Sequence, residues 1–294
     1  TDLTPEAERV GSALATVMDE FVSRLGLLFL VPEWVPTPGN VRLRRARRQL
    51  VETVDGVVAR RRSSGEERGD LLDLLLRAAS ESGAAADEQV RNQAMTFFLA
   101  GHETTALALT WTWYLLSQHP AVEAKLVAEL DEVLGDRPPR PADYARLVYT
   151  ERIVTEALRL YPPIWAMGRI ALEDTELGGQ HVPRGTVILI SQWAMHRDPR
   201  WFDEPERFDP DRWADGFAKR LPRYAFFPFG GGPRGCIGSR FAMMEAVLLL
   251  ATIAQRFRLT LAPGHPVVPL ASITLRPQHG LRMVLHRRVD AGVR

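Results

Sequence analysis

The stretch Phe229-Gly230-Gly231-Gly232-Pro233-Arg234-Gly235-Cys236-Ile237-Gly238 contains the only cysteine of this chain. Three consecutive glycines allow the backbone to turn sharply and to approach another group closely. Cys236 follows this turn, at the start of a helix predicted from about Ile237 to Phe257. Helix N-terminal amides and the nearby Arg234 cation stabilise negative charge on sulfur, so the pattern predicts a thiolate on a rigid loop.

Such a thiolate is a soft metal ligand, and its surroundings indicate which metal centre it suits. One thiolate without a second cysteine or a nearby histidine does not make a zinc site. It suits haem, because the porphyrin supplies four of the other iron ligands. A lone cysteine is more often a buried core residue, and only its place in this loop argues against that interpretation. A phosphate-binding loop is excluded, since no Gly-Lys-Ser or Gly-Lys-Thr follows.

A long central helix is predicted over about residues 87–117, with apolar halves around the polar centre Ala100-Gly101-His102-Glu103-Thr104-Thr105. Glycine followed by hydroxyl residues predicts a local break in the hydrogen-bond ladder of this helix. Glu103 beside Thr104 is an acid next to an alcohol, a pair suited to passing protons through ordered water. A zinc-protease pattern is excluded, because position 106 is alanine instead of histidine.

Glu156 and Arg159 form a second pair of interest, on a helix predicted from Tyr149 to Leu160. Residues three apart on a helix share one face, so the two charges are expected to meet. Taken alone, such a pair is usually a surface salt bridge. A buried role for this pair is therefore supported only in combination with the other motifs.

The remaining pattern predicts a mainly α protein with small β-sheets. Mixed helical periodicity covers residues 6–30, and further helices are predicted at Val41–Arg62, Asp70–Ala79, Ala121–Leu134 and Ala142–Leu147. Short β-like runs occur in residues 165–190, at Thr274–Arg276 and at Leu281–His286. Residues 197–233 are predicted to be loop-rich.

Composition narrows the possible functions. The 294 residues are 46% hydrophobic and 25% charged, with a formal net charge of +1, which gives no case for nucleic-acid binding. No uninterrupted apolar run reaches the length of about 18 residues that predicts a transmembrane helix, and the polar start Thr1–Glu6 does not resemble a signal peptide. One cysteine cannot form an internal disulfide, so a reducing, cytoplasmic setting is expected.

The cysteine loop matches the haem-binding pattern F-x-x-G-x-R-x-C-x-G of the cytochromes P450 at every fixed position. The centre of the long helix resembles that family's A/G-G-x-D/E-T-T/S motif, and residues 156–159 match its E-x-x-R motif. The resemblance runs from about residue 5 to the end and implies a single P450 domain over residues 1–294, incomplete at its N-terminus. Family members carry several more helices before this point. We therefore expect a longer natural protein or a second chain that completes the fold, and no competent monooxygenase from residues 1–294 alone.

The resemblance also implies a role for each matched residue. Cys236 would be the iron ligand, Thr104 the catalytic threonine and Glu103 its acidic neighbour. A buried network supporting the loop would comprise Glu156, Arg159 and Arg207. Haem contacts are implied for Phe229, Gly232 and Gly238, and haem-propionate contacts for Arg169 and Arg234. Positions that line substrate pockets in the family, each of which could equally be core, are Phe97, Phe98, Ala100, Ile164, Ala166, Met167 and Ile273.

The implied activity is that of a soluble bacterial haem-thiolate monooxygenase. It would use haem b to insert one oxygen atom from O₂ into an apolar substrate, by hydroxylation or epoxidation. Electrons would come from a ferredoxin or a flavoprotein reductase, since the chain has no flavin or iron–sulfur motif. A peroxygenase or an isomerase is the alternative enzyme, against which Glu103-Thr104 argues, and a haem sensor or non-catalytic remnant is the alternative outside catalysis. Terpenoid, fatty acid, steroid and polyketide substrates all stay open.

Overall fold

The structure, a computed structural model, describes residues 10–14, 16–17, 20, 32, 34–80 and 86–288. The periodicity predicted over residues 6–30 lies mostly outside these ranges. The chain divides between Glu103 and Thr104 into two compact units. Helix α3, which spans Ala86–Gln118, contributes to both of them.

Two helices precede α3 in the first unit: α1 spans Pro38–Ser64 and α2 spans Leu71–Ser80. The sequence prediction starts α1 at Val41, treating Pro38 as a chain breaker. Instead, Pro38 occupies the first turn, where a missing N–H costs nothing. The Thr37 hydroxyl caps this end by accepting a hydrogen bond of 3.1 Å from the Asn40 amide.

Small apolar residues join the three helices of the first unit. The cluster consists of Val54, Val58, Ala79 and Val90. Buried Arg61 on α1 pairs with Asp70 at 2.7 Å and with Asp73 at 2.5 Å. These pairs tie the end of α1 to the start of α2.

The second unit is built around α5, Val148–Leu160, which packs against α8, Ser239–Arg256. Helix α4, Pro120–Val133, packs against both. Their shared core contains the fully buried side chains of Leu126, Leu130, Ile153, Val247 and Leu250. Burying each of these side chains is worth roughly 1.5–3 kcal/mol. The core thus fixes α5, which carries Glu156 and Arg159.

Short elements connect the helices of the second unit. The α-helical ones are α6, Gln192–Met195, and α7, Phe217–Arg220; 3-10 turns span Pro141–Arg146, Pro210–Trp213 and Gly232–Arg234. The strands pair antiparallel, β1 (Met167–Ile170) with β4 (Val187–Ile190), β2 (Thr175–Leu177) with β3 (Gln180–Val182), β5 (Phe257–Leu261) with β8 (Met283–Arg287), and β6 (Pro269–Ala271) with β7 (Leu275–Pro277).

The prediction of a mainly α fold with small β-sheets is confirmed. The predicted end of the last helix, at about Phe257, agrees with the observed end at Arg256 to within one residue. Phe257 itself is extended and pairs with Arg287 in strand β8. Such a distant partner is invisible to local periodicity. None of the helices in the described ranges combines the length and apolar character needed to cross a membrane.

Candidate functional site

The backbone fixes the position of Cys236, which is exposed between the 3-10 turn Gly232–Arg234 and the start of α8. Its amide donates a hydrogen bond of 2.8 Å to the Phe229 carbonyl. At the start of the loop, the Gly230 amide donates a hydrogen bond of 2.9 Å to the Phe227 carbonyl and closes a turn, with Gly230 at φ +70°. Two successive turns therefore hold the cysteine while its thiol stays accessible.

Two glycines of this loop are required by close approach. A Cβ on Gly230 would lie 3.3 Å from Cε of Met167, at a φ that already favours glycine. A Cβ on Gly231 would lie 2.3 Å from Cε1 of Tyr224, a distance that side chains do not tolerate. A Cβ on Gly238, by contrast, would meet nothing closer than Sγ of Cys236, at 3.9 Å. The chain itself therefore leaves room beside the sulfur.

The donor set at Cys236 fits haem better than an ion held by protein ligands alone. Among the residues that the structure describes, no group of three His, Cys, Asp or Glu side chains could hold a metal ion. A single accessible thiol suits an iron whose other ligands come from a macrocycle. Ile237 and Phe241, close by in sequence, are 87% and 64% exposed, and a macrocycle face would remove such apolar surface from water.

Glu156 and Arg159 form a completely buried ion pair on α5, with both side chains 0% exposed. Nε and Nη2 of Arg159 donate to the two carboxylate oxygens at 2.9 and 2.8 Å. Its other donors bond the backbone carbonyls of His196 at 3.0 Å, Pro205 at 2.6 Å and Arg207 at 2.9 Å. All five N–H groups of the guanidinium are thus used, and three of them hold the segment 196–207 against α5.

The Glu156 carboxylate has further donors beyond Arg159. It accepts from the Asp209 amide at 3.1 Å and from the Trp213 indole at 2.8 Å. Nε of Arg212 lies 3.4 Å from it, on a side chain that is only 9% exposed. The carboxylate is therefore held by two cations and two neutral donors, as a buried charge requires.

The prediction for Arg207 needs a correction. Its carbonyl joins the buried network, but its side chain is 59% exposed and pairs with Glu204 at 2.8 Å. Arg212, five residues later, is the second arginine whose guanidinium reaches Glu156. The 3-10 turn Pro210–Trp213 places both Arg212 and Trp213 over α5, and sequence spacing does not reveal this turn.

His196 is a buried residue that the sequence analysis did not single out. Its Nε2 accepts a hydrogen bond of 2.9 Å from the amide of Phe227, just before the cysteine loop. Burial, helped by the positive charge of Arg159, lowers the pKa of His196 to about 3. The ring is therefore neutral with its proton on Nδ1, and it serves as a hydrogen-bond acceptor.

Glu103 and Thr104 are half-buried on α3, and Thr105 is 8% exposed. The predicted local break is not observed, since residues 100–105 are α-helical throughout. Threonines of this helix can donate to the carbonyl four residues earlier without displacing the amide bond, as Thr110 does to Ala106 at 2.8 Å. Hydroxyl residues alone therefore do not open the ladder.

The second unit brings together several of the predicted pocket residues. They are Ile164, Ala166, Met167 and Ile273, all half-buried. The Leu275 amide donates to the Pro163 carbonyl at 2.8 Å, and the Trp165 indole donates to the Ser272 carbonyl at 2.7 Å. The segment 163–167 therefore lies beside the segment 272–275. Met167 also approaches Gly230 of the cysteine loop.

In the first unit the predicted pocket residues have different surroundings. Phe98 packs against a core cluster that includes Ala46 and Leu50. Phe97 is half-buried and Ala100 is exposed. Phe98 thus has a core contact, and the pocket roles of all three stay predictions.

The two cations predicted to contact propionates are both exposed. Arg169 lies on strand β1, where its Nη1 donates to the Gly168 carbonyl at 2.8 Å. Arg234 lies in the 3-10 turn that precedes Cys236. Both are accessible to an anionic group.

Comparison with known proteins agrees with the mainly α fold. Residues 2–281 match the family model described as Cytochrome P450. Cyclooctatin synthase of Streptomyces melanosporofaciens is 42% identical over 94% of this chain and 61% of its own length. Cyclooctat-9-en-7-ol 5-monooxygenase of the same organism is 46% identical over 85% of the chain and 55% of the relative. Pentalenene oxygenase of Streptomyces avermitilis is 40% identical over 98% of the chain and 64% of the relative.

This chain spans about three fifths of the length of these curated relatives. The match nevertheless covers nearly all of its own residues, including the cysteine loop, the Glu156–Arg159 pair and the centre of α3. The chain therefore belongs to the cytochrome P450 family.

Proposed function

We propose that this chain provides the haem-thiolate part of a monooxygenase that inserts one oxygen atom from O₂ into an apolar organic substrate, by hydroxylation or epoxidation. The observation that carries the proposal is the accessible Cys236 thiol on a loop held by the backbone. Cytochromes P450 contain haem and in general receive electrons from redox partners. The chain's own residues supply a ligand, a proton pair and apolar segments for such a reaction.

The cofactor in this proposal is haem b, with the Cys236 sulfur as its axial ligand. Bound haem would supply the activation of O₂ and the transfer of one oxygen atom, which the thiolate favours by donating electron density. The loop's role is to hold the sulfur in one position, through the Cys236–Phe229 hydrogen bond and the turn at Gly232. Arg234 and Arg169 would neutralise the propionates, since both are exposed cations.

Thr104 and Glu103 are the proposed proton pair. The Glu103 carboxylate would receive a proton from water. The Thr104 hydroxyl would then hold this proton and pass it on. Both side chains are half-buried, which leaves them partly in contact with solvent. A positioned acid–alcohol pair of this kind is typically worth about 10²–10⁴-fold in rate.

An apolar substrate is proposed from two segments, one of which approaches the cysteine loop through Met167. Segments 163–167 and 272–275 contact each other and present Ile164, Ala166, Met167 and Ile273. Phe97, Phe98 and Ala100 on α3 are further candidates. The relatives' names concern pentalenene and cyclooctat-9-en-7-ol, so cyclic unsaturated hydrocarbons and their alcohols are the first compounds to test.

We further propose a ferredoxin or flavoprotein reductase as electron donor and a cytoplasmic location.

The experiment compares Thr104→Ala with Thr110→Ala in haem-loaded protein that includes the segment or second chain expected to complete the fold. The protein is supplied with NADPH, a ferredoxin system and a substrate identified by its shift of the haem spectrum. Thr104→Ala should keep haem and substrate binding, divert electrons to peroxide and lose on the order of 10²-fold in coupled product. Thr110→Ala should behave as wild type, because its hydroxyl bonds only the Ala106 carbonyl.

Three results would contradict the proposal. An unchanged ratio of product to NADPH in Thr104→Ala would remove Thr104 from proton delivery. Turnover by wild type with peroxide but never with O₂ and reductant would favour a peroxygenase. Reversible haem binding by this completed protein without any substrate conversion would favour a haem sensor.

A further inference from the structure

We infer that His196 is a positioning residue for Cys236, because its ring fixes the turn that holds the thiol and links that turn to the buried pair on α5. This inference rests on the proposed function, in which the Cys236 sulfur is the iron ligand. His196 is 0% exposed, so it acts through the backbone and cannot touch substrate.

The first half of the link runs from the ion pair to His196. Nη1 of Arg159 donates to the His196 carbonyl at 3.0 Å. The His196 amide donates to the Gln192 carbonyl at 2.9 Å, at the end of α6. The His196 backbone is therefore held by α5 on one side and by α6 on the other.

The second half runs from the His196 ring to Cys236. The Phe227 amide donates to Nε2 of His196 at 2.9 Å. The Phe227 carbonyl accepts from Gly230 at 2.9 Å, and the Phe229 carbonyl accepts from the Cys236 amide at 2.8 Å. The bond to His196 thus fixes the residue at which the turn begins, and the turn fixes the carbonyl that holds Cys236.

The ring suits this task because it is neutral and closely packed. Its centroid lies 4.9 Å from that of Phe226 and 5.3 Å from that of Phe227, the latter edge-on. A protonated ring would have no lone pair on Nε2, and burial beside the Arg159 cation disfavours that form. Phe227 is itself buried, at 8% exposure, so water does not readily replace the histidine as acceptor.

Side-chain geometry provides variants that separate hydrogen bonding from packing. In His196→Gln the amide oxygen reaches the place of Nε2, so the acceptor is kept. In His196→Asn the amide ends near the place of Nδ1, and in His196→Leu no acceptor is left. A residue needed only for packing would tolerate leucine best, whereas a positioning acceptor would tolerate glutamine best.

The test uses the haem-loaded protein and two readouts. The first is the share of the reduced carbonyl complex with the red-shifted Soret band of thiolate ligation. The second is hydrogen exchange at the amides of residues 226–236. His196→Leu and His196→Asn should lose thiolate ligation on mild warming and exchange about tenfold faster at these amides, as expected for one lost hydrogen bond. His196→Gln should stay close to wild type.

His119→Leu is the matched control, since Nδ1 of His119 bonds the Leu115 carbonyl at 2.7 Å, at the end of α3. It should leave both readouts unchanged. The inference is overturned if His196→Leu matches wild type, or if His196→Gln is as impaired as His196→Asn. If wild type itself lacks the thiolate band, the proposed function fails, while the exchange rates still decide the role of His196. If His196→Leu does not fold, the pair of Gln and Asn variants gives the same decision.

Discussion

Replacing Arg159 by alanine removes a side chain that, like Glu156, makes five hydrogen bonds in the buried network. Five bonds are lost at once, two to the Glu156 carboxylate and three to backbone carbonyls in the segment 196–207. Glu156 keeps the Trp213 indole, the Asp209 amide and the more distant Arg212, so its charge stays only partly compensated. The segment that leads to the cysteine loop loses its attachment to α5.

The expected loss follows from burial. Breaking a buried ion pair by removing one partner costs about 3–5 kcal/mol, against a total folding stability of about 5–15 kcal/mol. At about 2–4 °C per kcal/mol for a domain of this size, the melting temperature should fall by about 6–20 °C. Little haem-loaded protein should accumulate, because the loop is held by the same contacts.

The matched control is Arg207→Ala. Arg207 is the arginine that the sequence pattern predicts as the third member of the buried network. Its side chain is 59% exposed and pairs only with Glu204, itself 69% exposed, so the loss should be about 0–1 kcal/mol. Arg212→Ala should fall between the two variants. Calorimetry or thermal circular dichroism, together with haem content, measures all three. Equal losses for Arg159→Ala and Arg207→Ala would refute the placement of these side chains.

Two further predictions concern the frame around the site. Glu129→Gln should lower the free energy of unfolding by about 1–2 kcal/mol in a denaturation experiment. The reason is that the Glu129 carboxylate accepts hydrogen bonds from the Tyr149 and Thr150 amides at the start of α5. The control Glu132→Gln, on the exposed side of α4, should lower it little. The Arg137 guanidinium, and to a smaller extent the Arg140 amide, hold the pKa of Asp143 well below its usual range. The ionised Asp143 therefore stabilises the folded protein at pH values above about 3.9, its pKa in the unfolded chain. This stabilisation is lost as the pH falls through the lower pKa of the folded protein. The difference in melting temperature between wild type and Asp143→Asn should therefore shrink on acidification below about pH 4, and a constant difference would contradict this cause.

The local parts of the fold could be predicted from the sequence. Periodicity predicts the long helix at residues 87–117, close to the observed Ala86–Gln118, and it finds α5 and α8 within a few residues. These helices have apolar faces long enough to be visible within the sequence itself. Strand β5 was missed, because its β-structure depends on pairing with β8, about 25 residues later.

The candidate site divides in the same way. The cysteine loop and the Glu156–Arg159 pair are contiguous motifs, so the sequence itself shows them. Arg212 and His196 are not contiguous with their partners: one reaches Glu156 across 56 positions, the other meets Phe227 across 31. The sequence shows only that Arg212 is a charged residue within the loop-rich stretch 197–233 and that His196 is a titratable residue at its border. Such a signal does not say which of many arginines points inward.

The assignment of Cys236 as the iron ligand is tested by the absorption spectrum of the reduced carbonyl complex of the haem-loaded protein, compared between wild type and Cys236→His. Cys236 is the only thiol in the chain, and it is accessible on its loop. Wild type should therefore show the red-shifted Soret band of thiolate ligation, and Cys236→His should lack it while still binding haem. The same red-shifted band in Cys236→His, or its absence from wild type, would contradict the assignment of Cys236 as the iron ligand.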